Sequence, residues 1–429
     1  MDSRLRIIII SAVVGIIAIP ALVYLVFFSG KTSVSLSLPA ANLTFWGFQD
    51  DELIWREVIE NFHMVHPQLT VSYTRMNEET FESTLVDALA RGKGPDLFLL
   101  KNEWIVRHKD KASLLPPGAG LTEAQFAQHF TDGLVADLVM PDSSIVGLPL
   151  FVDTPLLFYN KDILNIAGIA VPPSNWDELI ERSRQLTRAT PAGEIIRSGL
   201  AVGSYGNVER AYEVISSLIL QYGDPIAFEE RGAYPISLGR DAIDAVEFYT
   251  SFADRTHDRF SWTPRMKQSL DAFAEEHAVF AFGYAQDIKR IRAKNPHMNL
   301  GVLPFPQRKD AQRPTLYHTY FFPVVSRLSP HPQAAWEFIF FAALGEGAKV
   351  YLDASEKTPA RRDLLAKEPP DAVRSIGHRQ ALIAKGWPAP DQEVTRRLLG
   401  EAIDSINARS ATVGGALSLF GKRISQLFP

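Results

Sequence analysis

A carboxylate inside an apolar run is costly to bury unless something pairs with it, and Asp153 has that position in GLPLFVDTPLLFYNKD, residues 147–162. The stretch opens on a Gly-Leu-Pro turn, continues through apolar and β-branched residues and ends in Asn160, Lys161 and Asp162, which reads as one long buried strand. Two roles are open to Asp153: an acid satisfied by neighbouring backbone, or a charge-assisted acceptor for hydroxyl groups of a ligand. Aromatic residues at expected loop ends, Trp46, Tyr205, Tyr284 and Trp387, could stack on such a ligand, whereas most of the 26 phenylalanines must be core.

Other groups with chemical potential lack the company that catalysis needs. His63 and His66 stand three apart on an expected helix, but neither the glutamate of a zincin nor a third ligand accompanies them. Asp50-Asp51 and Glu275-Glu276 could each be half of a glycosidase carboxylate pair, yet adjacent acids at helix ends are far more often caps or solvated faces. Gly203-Ser204-Tyr205-Gly206 departs from nucleophile-elbow spacing, and no phosphate loop is present. With no cysteine, the chain has no disulfide, thiolate metal site or lipidated N-terminal Cys. A net charge of −5 gives no electrostatic footprint for nucleic acid, and no cofactor or metal is expected.

The elements that must position these groups alternate between strand and helix periods, the pattern of an α/β sandwich. Leu43 to Trp46 is expected as a strand. Ile54, Val58, Ile59, Phe62 and Val65 are expected on one helix face behind a cap at Asp50 or Asp51, and Leu69 to Tyr73 as a second strand. Phe81, Leu85 and Leu89 mark another helix before a third strand, Asp96 to Leu100. Such βαβαβ winding implies a parallel sheet whose ligand loops, Trp46 to Asp50 and Lys101 to Trp104, share one rim. Further on, Ser174 and Asp177 fit a capping box, Val208 to Tyr222 a helix closed by Gly223, Ala278 to Phe282 a strand and Val394 to Ala408 a helix.

Ahead of these elements, Ile7 to Phe28 is an uncharged run that as a helix spans about 33 Å, enough for a bilayer core. Arg4 and Arg6 before it place the N-terminus in the cytoplasm. A cleaved signal peptide is the rival, but its apolar core would be shorter and a small-residue site would follow closely. The expectation is an uncleaved single-pass anchor in residues 1–30 and a Ser/Thr-rich tether in 31–41, with the rest outside the cytoplasm.

The strand ending in Trp46, the Gly94-Pro95-Asp96 lead into an apolar strand, the crossing segment at 147–162, the Trp176 helix and the Gly283-Tyr284 pair together resemble the extracellular solute-binding proteins of ABC importers, in the sugar-binding, maltose-binding-protein-like group. Many members carry a Gly-Gly-aromatic element where this chain has Tyr317-His318-Thr319-Tyr320. The resemblance implies two α/β lobes joined by three crossings, with lobe 1 in 42–152 and 314–357 and lobe 2 in 153–313 and 358–429. It implies a non-enzymatic protein that captures a small polar solute, a carbohydrate, and presents it to permease subunits. The ligand residues it suggests are Trp46, Asp50, Asn102, Glu103, Asp153, Tyr205, Asn207, Tyr284 and Trp387. A surface-anchored enzyme acting on polysaccharide and the binding component of a sensor are the alternatives.

Overall fold

In the strand Ala41–Gly47 (β1), Leu43 and Phe45 point inward and Asn42 and Thr44 outward, the period-two pattern of a half-buried strand. It pairs in parallel with Leu69–Arg75 (β2) and with Leu97–Lys101 (β3). The computed structural model describes residues 38–223, 225–230, 232–311, 313–369 and 371–428. The expected anchor and residues 31–37 of the expected tether lie outside these residues. Among the described residues no helix is long and apolar enough to cross a membrane.

The helix Glu52–Val65 starts at Asp51, whose carboxylate accepts from the Leu53 amide at 3.0 Å. Of the expected face Val58 and Phe62 are buried, Ile54 and Ile59 are half-buried and Val65 is exposed, while Trp55 joins the inward side. This follows from packing: Trp55 meets Phe45 edge-on at 4.8 Å, and Phe62 meets Phe338 at 5.1 Å. Phe321–Val325 (β10) adds an antiparallel edge to β3, giving a first sheet of order β10-β3-β1-β2.

The second sheet is built from Leu156–Asn160 (β4), Arg188–Ala189 (β5), Ile195–Leu200 (β6), Ala278–Gly283 (β7) and Leu300–Leu303 (β8). Its order is β5-β6-β7-β4-β8. Strand β7 is buried along its whole length, as a central strand covered on both faces must be. Helices Trp176–Leu186 and Ala211–Tyr222 contribute Trp176, Leu179, Tyr212 and Ile215 to the core around this sheet. The capping residue of the first is Asn175, which accepts from the Glu178 amide, not Ser174; Glu178 instead reaches back to the Ser174 amide and hydroxyl. Asn175 has the extended backbone a cap requires, so the cap lies one residue later than expected.

The expected long strand at 147–162 is shorter: only Leu156–Asn160 is strand, and Asn160 caps the helix beyond it. Pro149 and Pro155 have no amide hydrogen to donate, which limits ladder pairing upstream to single bridges at Phe151 and Asp153. At the second of these bridges Asp153 exchanges both backbone hydrogen bonds with Thr319, at 2.8 and 2.9 Å, while nearby Val152 donates to Thr358 and Ala360 to Leu150. Three remote stretches are thereby laced side by side between the two sheets. A two-stranded pair, Leu316–Tyr317 (β9) with Ala384–Lys385 (β11), extends the lacing. The result is a mixed α/β fold of two lobes.

Candidate functional site

Asp153 lies in the laced region with its backbone satisfied on both sides by Thr319. Among the described residues no side chain donates a hydrogen bond to its carboxylate. Burial therefore pushes its pKa up to about 6, against the pull of Lys357 and Arg210 and with a further push from Asp50 and Asp287. Each of those four neighbours is already engaged. From the side of the first sheet, Lys357 donates to Asp50 at 2.6 Å and to the Tyr351 hydroxyl at 3.2 Å, and lies 3.8 Å from the centre of the Phe151 ring. The Tyr351 hydroxyl also donates to Asp50, at 2.8 Å.

From the second sheet, β7 ends at Gly283, where a Cβ would lie 2.4 Å from the Phe158 ring, so only glycine allows this close approach. The next residue, Tyr284, gives its amide to Asp287 at 2.7 Å and pairs its hydroxyl with that of Thr319 at 2.9 Å. Arg210, at the start of the Ala211–Tyr222 helix, donates to Asp287 at 2.9 Å, with its guanidinium 4.2 Å from the Tyr284 ring centre. Two cation-carboxylate pairs thus flank one carboxylate that has no side-chain donor, and Arg210 Nε is buried beside them without a protein partner.

A second ionic group also joins residues of both sheets. Glu103, fully buried after β3, accepts from the Tyr317 hydroxyl at 3.0 Å and from Arg396 at 3.1 Å. Arg396, on the Gln392–Asn407 helix, also donates to Glu213 at 2.8 Å and covers the Tyr212 ring. Burial raises the pKa of Glu213, but Arg396 and Arg210 outweigh it and hold the carboxyl below the usual range. The Tyr212 hydroxyl, Arg396 Nε and one Glu213 oxygen are buried without a protein partner.

Of the residues singled out by sequence, Asp50, Asp153 and Tyr284 converge on one centre. Asn102 is spent on the backbone of residues 318 and 320. Asn207 binds the backbone carbonyls of Thr263 and Met266 and accepts from Trp262. Trp387 is buried, with its ring nitrogen donating to Ser216, and Tyr205 packs against Gly400. Trp46 is half-buried at the end of β1. His63 turns to the Leu69 carbonyl and His66 to Glu337, so the two imidazoles do not converge. Asp51 is a helix cap, and Glu275 pairs with Lys267 and Lys294.

Sequence reading missed Arg210, Lys357, Tyr351 and Asp287, as well as Arg396 and Glu213. An open groove of about 1200 Å³ lies elsewhere, along the Arg240–Thr250 helix and the loop containing Arg255 and Arg259. It contains none of the nine candidates, so size and chemistry point to different places; the convergence of charged groups is the better guide.

Two α/β lobes with a polar, charged centre beside the stretches that join them form the frame of a binding protein. The family model for bacterial extracellular solute-binding proteins matches residues 48–349, and the chain belongs to that family. A putative binding protein of Brucella abortus (strain 2308) is 22% identical over 288 residues, 67% of either chain. The maltotriose-binding protein of Pyrococcus abyssi (strain GE5 / Orsay) is 22% identical over 295 residues, 68% of this chain and 60% of that one. In fold, the chain is similar to a cyclo/maltodextrin-binding protein solved with maltotetraose. The TM-score is 0.74 at 18% identity, over 90% of this chain and 97% of that one.

Proposed function

We propose that this protein captures a small polyhydroxylated solute, a carbohydrate, outside the cytoplasm and presents it to the permease subunits of an ABC importer. The observation that carries the reading is Asp153: a part-buried carboxylate on a joining segment, with satisfied backbone and no side-chain donor, is an acceptor reserved for something other than the protein. Names of relatives that bind maltotriose and maltodextrins support a sugar. Asp50 and Tyr284 belong to the same site, with Lys357 and Arg210 orienting the carboxylates. Trp46 is retained as a rim aromatic.

The boundaries proposed for the lobes are 42–152 with 314–357 and 153–313 with 358–429, so the laced stretches at 151–153, 319 and 358–360 act as three hinge crossings. A solute touching both lobes binds the closed arrangement better and shifts the population toward it. Micromolar capture needs about 8 kcal/mol net, within reach of a few charge-assisted hydrogen bonds and one stacked ring. Residues 7–28 would hold the protein to the membrane as a single-pass anchor.

The test is mass spectrometry of small molecules released on denaturing the purified protein, then calorimetric titration and small-angle scattering with the compound recovered. A polyhydroxylated compound that binds unchanged and reduces the radius of gyration is expected. Recovery of no such compound, or its chemical conversion on incubation, would sink the reading.

A further inference from the structure

The charges between the lobes do not balance, and the imbalance says what kind of solute would complete them. Around Asp153 stand two more carboxylates, Asp50 and Asp287, against two cations, Lys357 and Arg210. Each cation is committed to one of the flanking acids at hydrogen-bond distance, 2.6 Å for Lys357 with Asp50 and 2.9 Å for Arg210 with Asp287. Asp153 is left over. The neighbouring ionic group adds in the same direction, since Glu103 and Glu213 share the single cation Arg396. The two remaining polar groups beside Asp153, the Tyr351 and Tyr284 hydroxyls, are taken by Asp50 and by Thr319. Among the described residues these two groups of charges are anionic in surplus, and Asp153, the carboxylate in them without a side-chain donor, is their chemical focus.

Resting on the proposed capture of a polyhydroxylated solute, we infer that the solute carries an amino group, as in an amino sugar or another polyol amine, whose ammonium pairs with Asp153. A neutral hydroxyl could give Asp153 a hydrogen bond but would leave the surplus charge uncompensated in a desolvated place. An ammonium supplies both donor and charge. An anionic sugar would meet three carboxylates beside two cations that already pair with two of them, leaving Arg210 Nε as an unpartnered donor, so phosphorylated and uronic solutes are selected against by net repulsion.

The experiment is calorimetric titration of the whole protein with three trisaccharides that differ in charge: the glucosamine trimer, maltotriose and trigalacturonate. The expected order is glucosamine trimer tightest, by about tenfold over maltotriose, with trigalacturonate weakest. In Asp153→Asn the gap between the glucosamine trimer and maltotriose should close to within about threefold, because the charge that reads the amine is gone while the shape remains. Maltotriose binding as tightly as the amine, trigalacturonate binding best, or an amine preference that survives Asp153→Asn would each overturn the inference while leaving sugar capture standing. Binding of none of the three would overturn the sugar reading itself, and the inference with it.

Discussion

Glu103 and Asp153 are two carboxylates withdrawn from the surface, the first fully buried and the second part-buried, and the protein treats them in opposite ways. Glu103 receives the Tyr317 hydroxyl and the Arg396 guanidinium, which also holds Glu213. Asp153 receives no side-chain donor, and desolvation holds its pKa up. A buried ion pair that is complete serves the fold, because removing one partner leaves an uncompensated charge behind. A buried carboxylate that is incomplete costs stability and persists where a function uses it. Burial alone therefore does not separate structural acids from functional ones in this protein; the state of pairing does.

The sharpest way to break that comparison is to unpair the paired region. Arg396→Met leaves Glu103 and Glu213 without their shared cation and should lower unfolding free energy by about 3 to 5 kcal/mol, read from urea denaturation at neutral pH. Adding Glu103→Gln to that variant should recover part of the loss. A loss below about 1 kcal/mol would mean that the network does not hold the fold, and the contrast with Asp153 would lose its structural half.

The next effect has the opposite sign and concerns pH. Asp153 titrates at about 6 in the folded protein and near its ordinary 3.8 when unfolded, so the folded state holds its proton more tightly. The stability Asp153 allows is full below pH 4 and declines as pH rises toward 6, by about 3 kcal/mol in all. Asp153→Asn should remove that decline, making the variant more stable than the parent at neutral pH while the two converge in acid. Parallel stability curves for parent and variant from about pH 4 to 7 would show that Asp153 is compensated in solution.

Much of this frame was legible in the sequence because it is local. The alternation in Ala41–Gly47, the Asp51 cap and the apolar spacing of the Glu78–Ala90 helix are each set by residues within a turn or two. Asp153, an acid in an apolar run, was legible for the same reason. The charges that surround it were not. Lys357 and Asp50 are 307 positions apart, and although the family resemblance put Asp50 at the site, Lys357 in sequence looks like one more solvated charge until the laced stretches bring the two together. Glu103 was legible as a polar residue on the right rim, but its role could not be read without Arg396, 293 positions away. Asn207 and Trp387 misled because a polar or aromatic residue at a loop end carries no sign of whether its donors face outward or, as here, bind Thr263, Met266 and Ser216.

A smaller effect sharpens the functional half of the comparison. With the solute recovered from the protein, Asp153→Asn should weaken binding by about 1.5 to 3 kcal/mol, or ten- to a hundredfold, since a charge-assisted acceptor becomes a neutral one. Glu103→Gln, measured beside it, should lower the melting temperature and move affinity far less. The reverse pattern would exchange the roles of the two acids.

The smallest expected effect tests whether pairing must also be buried to matter. Arg107, half-exposed, bonds Asp391 at 2.6 Å and Glu82 at 3.1 Å, joining the Ile105–His108 turn after β3 to the start of the Gln392–Asn407 helix, the helix that carries Arg396. It spans the same two regions as the Glu103–Arg396 pair but in contact with water, where Coulomb attraction is weak and side-chain ordering opposes it. Arg107→Gln should therefore cost less than about 1 kcal/mol, and the cost should shrink further in high salt. The Arg396 effect, screened by protein rather than by ions, should persist under the same salt. Equal losses for the two arginines, or equal sensitivity to salt, would show that the network around Glu103 is reached by solvent, and Glu103 and Asp153 would then differ in their partners but not in their surroundings.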